Sequence, residues 1–160
     1  ADNIQRFNDN FKGYSQDIRF PKVYSDITTT TVLMETFERG IPIGALLPST
    51  ADHNPGTESG DDDGDKVMVD DVVVSKRDIC QMGVKAFLHM LFIDNFIHGD
   101  LHPGNILVQA DKPGASSGNN DRAGVRLVFL DCGLANELSD RDLTNFVDLM
   151  HAIMIGESTE

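Results

Sequence analysis

HGDLHPGNILV, residues 98–108, is the most informative stretch of the sequence. It ends in an apolar run, and a second apolar run at 125–130 leads into Asp131. Two short apolar runs around a polar loop predict a β-hairpin, here with a long connection. Antiparallel pairing would place Asn105, which begins one strand, and Asp131, which follows the other, at the same end of the hairpin.

Three polar side chains of these segments suit the transfer of a phosphoryl group. The amide oxygen of Asn105 and the carboxylate of Asp131 are hard oxygen ligands of the kind that Mg²⁺ prefers. Asp100, five residues before Asn105, can orient an attacking hydroxyl or accept its proton. Positioning together with charge stabilisation is what phosphoryl transfer requires. Each aspartate alone is as readily a turn or cap residue, so the prediction depends on the combination.

Helices are predicted on both sides of the hairpin. Ser75 to Asp78 forms a capping box, and the apolar spacing after it predicts a buried helix that runs to about Asn95. A second helix is predicted from the cap residue Ser139. The expected stripe of the first helix is Ile79, Met82, Ala86, Met90, Ile93 and Ile97, widened by Phe87 and Leu91. The expected stripe of the second is Leu143, Phe146, Val147, Met150 and Ile153.

The first 47 residues predict one helix and one strand. Ile4, Phe7 and Phe11 follow a helical spacing, which is typical of the end of an amphipathic helix. The β-branched and apolar run at 28–37 predicts a strand.

Composition excludes some classes of function. The chain has 160 residues and a formal net charge of −13, and residues 49–74 hold eight acidic residues against one lysine. The Pro, Gly, Ser and Asp content of 48–74 predicts a disordered, solvated insertion. Nucleic-acid binding is not expected, because it requires a basic surface. Two cysteines make no disulfide framework, and the sequence shows neither a signal peptide nor an 18-residue apolar run.

Several segments together resemble one family. HGDLHPGNILV followed by VFLDCG at 128–133 resembles the catalytic and metal-binding segments of protein-kinase-like phosphotransferases. ADNIQRFNDNF at 1–11, FPKVYSDITTTTVLMETFERGIPI at 20–43 and LSDRDL at 138–143 resemble the UbiB/aarF-domain (ADCK-type) atypical kinases. The resemblance covers most of the chain outside 48–74 and 109–124.

This resemblance implies a role for each candidate residue. Asp100 matches the catalytic-loop aspartate, and Asn105 and Asp131 match the two Mg²⁺ ligands. His98 matches the histidine that packs beneath that loop. The backbone that would meet the adenine of ATP is that of Glu35, Thr36 and Phe37.

The resemblance also implies an α+β, protein-kinase-like fold. Residues 1–47 would form the end of the C-helix, the N-lobe strands and the hinge, and 48–74 the insertion. Residues 75–160 would form part of the helical C-lobe. The glycine- or alanine-rich nucleotide loop, the strand lysine, the C-helix glutamate and the KxGQ extension of the family lie upstream of these segments. We therefore expect a fragment that is inactive alone.

The implied cofactors are ATP and Mg²⁺, and the implied activity is that of an ATPase or phosphotransferase. The family implies a mitochondrial location and a role in ubiquinone or lipid metabolism. Its candidate partners are lipid or coenzyme Q intermediates, biosynthetic proteins and a membrane surface. Two alternatives stay open, namely a small-molecule kinase of the aminoglycoside or choline type and a non-catalytic pseudokinase scaffold.

Three residues near the motif have competing interpretations. His98 and His102 bracket Asp100 and could suggest a transition-metal site, although no further cluster completes four ligands. A packed His98 that hydrogen-bonds loop backbone, with His102 ordering the loop, is favoured instead. Cys132 replaces the Phe of the Asp-Phe-Gly motif of protein kinases, and we expect a small buried residue.

Overall fold

The computed structural model describes residues 1–46, 65–111 and 124–156. Its helices are α1 (Asp2–Asn10), α2 (Ile43–Leu46), α3 (Lys76–Phe92) and α4 (Asp140–Gly156), and its short 3₁₀ turns are Lys12–Tyr14, Ser25–Ile27 and Pro103–Asn105. Its strands are β1 (Ile18–Arg19), β2 (Ile41–Pro42), β3 (Lys66–Val69), β4 (Val72–Ser75), β5 (Ile97–His98), β6 (Ile106–Asp111), β7 (Gly124–Phe129) and β8 (Ala135–Asn136).

The central sheet has the strand order β1-β7-β6-β2. The predicted hairpin is confirmed, because β6 and β7 pair antiparallel from Ile106 opposite Phe129 to Asp111 opposite Gly124. β1 adds parallel to β7, and β2 adds antiparallel to β6. Residues 112–123, which connect β6 and β7, lie outside the described residues.

The predicted amphipathic helix is α1, and aromatic rings join it to residues that flank β1 and β5. Ile4, Phe7 and Phe11 are all buried. The ring of Phe7 stacks on that of Phe20 at 4.9 Å and meets that of Phe96 at 4.6 Å between centroids. Contacts of this kind add to the burial of apolar area. They hold α1 beside the end of the hairpin where the candidate site lies.

Helix α3 begins where the capping motif predicts. The Ser75 hydroxyl accepts the backbone N–H of Asp78 at 3.2 Å. It also donates to Asp65, which accepts the N–H of Arg77 as well, so a residue upstream of the motif completes the cap. The hydrogen bond from Ser75 lowers the pKa of the Asp65 carboxyl.

The structure corrects the predicted end of α3 and part of its predicted buried stripe. The helix ends at Phe92 rather than near Asn95, because Asn95 adopts a left-handed backbone with φ 43°. Ile79, Ala86, Met90 and Leu91 are buried, whereas Phe87 is exposed and Ile93 is 71% exposed. Ile93 follows the last helical turn, so it no longer lies on the helix face.

The strand predicted at 28–37 is not formed. One isolated bridge joins Glu35 to Val23, and the chain between them folds back through a 3₁₀ turn. The hydroxyl of Thr28 donates to the carbonyl of Tyr24 and accepts the N–H of Met34. Threonine side chains that satisfy backbone groups compete with sheet formation, which the β-branched composition alone did not reveal.

The disordered insertion predicted at 48–74 extends too far toward the C-terminus. Residues 66–75 form an antiparallel hairpin, β3–β4, in which Val69, Val72 and Val74 are buried. Asp70 and Asp71 both have positive φ, at 50° and 64°, as a tight two-residue hairpin turn requires. Alternating valines on either side of this turn form the hairpin's buried face. The rest of the predicted insertion, 48–64, lies outside the described residues.

Helix α4 begins after its predicted cap, because the Ser139 hydroxyl accepts the N–H of Asp142 at 3.2 Å. Only three of the five residues in its predicted buried stripe are partly buried. Leu143, Phe146 and Met150 are half-buried, but Val147 and Ile153 are 44% and 48% exposed. Within the described residues, α4 meets α3 through the rings of Phe146 and Phe92, 5.9 Å apart, and this contact covers only part of the stripe.

Candidate functional site

The hairpin brings Asn105 and Asp131 to one end, as its register predicts. Asn105 closes the 3₁₀ turn before β6, and its carbonyl accepts the N–H of Leu130 at 2.7 Å. Asp131 follows directly in the chain. Both residues line one cavity of about 570 Å³, together with Glu35 from the preceding segment. Residues far apart in sequence therefore share one pocket.

Asp100 joins this pair through the side chain of Asn105. The Asn105 amide donates to the Asp100 carboxylate at 2.9 Å and to its carbonyl at 3.3 Å. An amide that uses its N–H₂ group in this way presents its oxygen as an acceptor. The Asp131 carboxylate is exposed and accepts no hydrogen bond from any residue in the described ranges.

His98 connects the two halves of the site beneath its surface. The side chain is 2% exposed and lies beside the rings of Phe7 and Phe129. Its Nε2 is 2.8 Å from the carbonyl of Leu130, and its Nδ1 accepts the N–H of Asp100 at 3.2 Å. The favoured interpretation, a packed histidine bonded to loop backbone, is confirmed. These two contacts require the neutral ring with its proton on Nε2.

The donor set suits a hard cation better than a transition metal. Among the residues that the structure describes, no three His, Cys, Asp or Glu side chains cluster around a common point. His102 uses Nδ1 to accept the N–H of Gly104, so it orders the loop. An amide oxygen and a free carboxylate are oxygen ligands, which fit Mg²⁺.

The sequence matches the family described as the ABC1 atypical kinase-like domain over residues 1–160. The chain belongs to the ABC1 atypical kinase-like family. Its α+β architecture, with a short first helix, small sheets and two longer helices, is therefore the kinase-like fold that the sequence predicts.

Curated relatives of this ABC1 chain come from eukaryotes and bacteria. It is 31% identical to a mitochondrial ABC1 family protein of Schizosaccharomyces pombe, over 94% of this chain and 23% of that protein. It is 25% identical to the probable serine/threonine-protein kinase abkC of Dictyostelium discoideum, over 100% of this chain and 28% of that protein. It is 27% identical to a probable protein kinase UbiB of Blochmanniella pennsylvanica, over 83% of this chain and 19% of that protein. The chain thus spans about a quarter of the length of these relatives.

The three residues assigned to adenine by resemblance occupy different surroundings in the ABC1 chain. Glu35 lines the cavity. Thr36 donates its N–H to the carbonyl of Lys22 at 2.9 Å, so that backbone group is already engaged. Phe37 is 88% exposed. Leu33 and Asn3 also line the cavity, and the sequence offers no motif that would have singled them out.

Cys132 is a small buried residue, as expected. It is 1% exposed. Burial raises the pKa of its thiol to about 12, and the carboxylates of Glu35 and Asp131 act in the same direction. Burial therefore disfavours the charged thiolate, which is the reactive form of cysteine.

No helix in the described part of the chain combines the length and the apolar character that crossing a bilayer requires.

Proposed function

We propose that this chain supplies the catalytic loop and the metal-binding hairpin of an ATP-dependent atypical kinase or ATPase. The observation that carries the proposal is the convergence of Asp100, Asn105 and Asp131 at one end of the β6–β7 hairpin. ATP is the nucleotide that we infer, because the family is kinase-like.

Each of the three polar residues has a distinct task. Asp100 orients the attacking hydroxyl or water and accepts its proton, and the Asn105 amide holds the Asp100 carboxylate in place. The amide oxygen of Asn105 and the Asp131 carboxylate would hold Mg²⁺. When bound, Mg²⁺ neutralises the charge on the transferring phosphate oxygens.

His98 joins the backbone of the two segments that carry Asp100 and Asp131. It contacts the backbone of Asp100 on one side and the residue before Asp131 on the other. Because the ring is buried among aromatic side chains, it has little freedom to move. We infer that His98 fixes the distance between the proton acceptor and the metal ligand, which is the kind of positioning that phosphoryl transfer depends on.

The segment after Asp131 favours a small acceptor over a protein substrate. β8 follows at Ala135–Asn136 and α4 begins at Asp140, so the segment between Asp131 and α4 is short. Little chain is available there for an activation loop that could hold a peptide. We therefore propose a small molecule, a lipid or water as the phosphate acceptor.

We place the activity in mitochondrial ubiquinone or lipid metabolism. Support comes from the family resemblance and from the relative of Schizosaccharomyces pombe, which is named as mitochondrial. Proteins named UbiB among the bacterial relatives point to the same family of kinases. Contact with a membrane surface would follow from acceptors of this kind.

The direct test is ATP turnover by the full-length protein and by an Asp100→Asn variant. We expect turnover to fall about 100-fold or more, since a positioned proton acceptor contributes on the order of 10²–10⁴-fold. Asp26→Asn is the matched control, because Asp26 is an exposed acid in a 3₁₀ turn outside the cavity lining. Equal turnover in the wild type and Asp100→Asn would contradict the enzyme assignment and favour a non-catalytic scaffold.

A further inference from the structure

Two short segments that flank the site run antiparallel to each other. β5 pairs with β8, with Ile97 opposite Asn136 and His98 opposite Ala135. The backbone N–H of the next residue, Gly99, donates to the carbonyl of Leu134 at 2.8 Å. We call the paired segments, residues 95–99 and 134–138, the latch.

The side chain of Asn95 extends the latch at its other end. Its amide donates to the carbonyl of Leu138 at 2.9 Å, and its oxygen accepts the N–H of the same residue at 3.0 Å. Asn95 thereby makes with its side chain the pair of bonds that a strand would make with its backbone. The latch is closed by hydrogen bonds at both ends.

The latch lies directly beside two candidate site residues. Asp100 follows Gly99 in the chain, and Asp131 precedes Leu134 by three residues. The pairing of Gly99 with Leu134 is therefore the latch contact closest in sequence to both carboxylates. A displacement of one segment at this point would move Asp100 relative to Asp131.

Gly99 leaves no room for a side chain. A Cβ built on its backbone would lie 2.5 Å from Cγ and 2.9 Å from Cδ2 of Leu134, and 2.9 Å from Nδ2 of Asn136. Carbon atoms pack at about 3.5–4.0 Å, so these separations require movement. The backbone of Gly99 lies outside the left-handed region, so the requirement is for space and not for conformation.

We propose that Gly99 is a positioning residue for Asp100, because a side chain at 99 would collide with Leu134 and displace the segment that carries Asp100. Leu134 lies over the bare backbone of Gly99 although its own side chain is 56% exposed. A side chain at 99 displaces Leu134 and with it the segment after Asp131, so the spacing between Asp100 and the metal ligand Asp131 changes. The inference rests on the proposed function and adds a residue to its machinery.

The test is a double-variant cycle in the full-length protein, with Gly99→Ala, Leu134→Ala and the combined variant. We expect Gly99→Ala to lower kcat for ATP turnover about 100-fold with little change in KM, because a displacement on the order of 1 Å can cost that much. Leu134→Ala removes the two carbon atoms that the new methyl group would meet, and the third atom is the terminal amide nitrogen of the flexible Asn136 side chain, so the combined variant should recover most of the lost kcat. Leu134→Ala alone should keep kcat within about threefold of the wild type, in line with the small effect of an exposed side chain.

The outcomes separate this inference from the proposed function. Wild-type kcat in Gly99→Ala, or a combined variant no better than Gly99→Ala, would overturn the positioning role alone. If Gly99→Ala does not fold, recovery of folding and kcat by Leu134→Ala supports the proposal, and failure to recover overturns it. A wild type whose turnover does not depend on Asp100 would overturn the proposed function and this inference together.

Discussion

At the level of single residues, the side chains of the site differ in how many hydrogen bonds hold them. Asn105 is held by Asp100, and Asp100 is held through its backbone by His98. Asp131 has no hydrogen-bond partner in the described ranges, and its backbone has φ 48°. Left-handed backbone in a residue other than glycine is uncommon and concentrates at functional sites. The free carboxylate is therefore the group most suited to an external cation.

The two cysteines give a prediction at the same scale. Because burial raises the pKa of Cys132 to about 12, its thiol should resist alkylation by iodoacetamide at pH 8 in the folded protein. Cys80 is exposed on α3 and serves as the internal control. Mass spectrometry of the alkylated protein should show modification at Cys80 and protection at Cys132. Equal modification of both residues in the native state would contradict the buried placement of Cys132.

At the scale of elements, the end of α3 depends on one asparagine. Asn95 combines a left-handed backbone with two hydrogen bonds to Leu138. Replacing it with glycine removes those bonds without adding backbone strain. We expect Asn95→Gly to speed hydrogen exchange of the Leu138 amide about tenfold, as loss of roughly 1.4 kcal/mol from the latch implies.

Asn95→Ala provides the comparison for this variant. Alanine also lacks the amide but disfavours a left-handed backbone, so exchange should be faster still. Unchanged exchange at Leu138 in Asn95→Gly would show that the latch does not need these bonds.

The β3–β4 hairpin gives a second prediction for elements. Val69 is fully buried there, whereas Met68 beside it is 57% exposed. Val69→Ala should lower the free energy of unfolding of the full-length protein by about 2 kcal/mol, from lost burial and the cavity left behind. Met68→Ala should change it by less than about 0.5 kcal/mol. Equal effects of Val69→Ala and Met68→Ala in denaturant titrations would contradict the folded hairpin and favour the predicted disorder of this segment.

Elements with a strong local signal were the ones predicted correctly. The β6–β7 hairpin, the caps at Ser75 and Ser139 and the aromatic face of α1 follow from spacing and composition. The strand expected at 28–37 failed because threonine hydroxyls took over backbone hydrogen bonds. The β3–β4 hairpin was missed because its turn consists of two aspartates, which also read as part of the acidic run.

At the scale of the whole molecule, the site depends on contacts between distant segments. The sequence predicted the shared location of Asn105 and Asp131 because the pairing of β6 with β7 alone sets it. It could not predict that Leu33 and Asn3 line the same cavity, because that depends on how α1 and the irregular segment before β2 pack. The closeness of Leu134 to Gly99 is equally a tertiary fact with no local signature.

Charge is also organised at this scale. Of the formal net charge of −13, residues 49–74 contribute −7, and the remainder of the chain is less acidic. The acidity therefore argues little against binding of a nucleotide with its cation at the hairpin end. The excess of acidic over basic residues in this chain is unfavourable for contact with nucleic-acid phosphates.

We propose that oxygen atoms of Asn105 and Asp131 bind Mg²⁺ together with a nucleotide. The most direct measurement is the rise in melting temperature of the full-length protein with ATP, in Mg²⁺ and in EDTA, for wild type and Asp131→Asn. We predict a Mg²⁺-dependent rise in the wild type that is largely lost in Asp131→Asn, while the melting temperature without nucleotide stays the same because this carboxylate has no partner in the described ranges. An equal Mg²⁺-dependent rise in both proteins would contradict the claim.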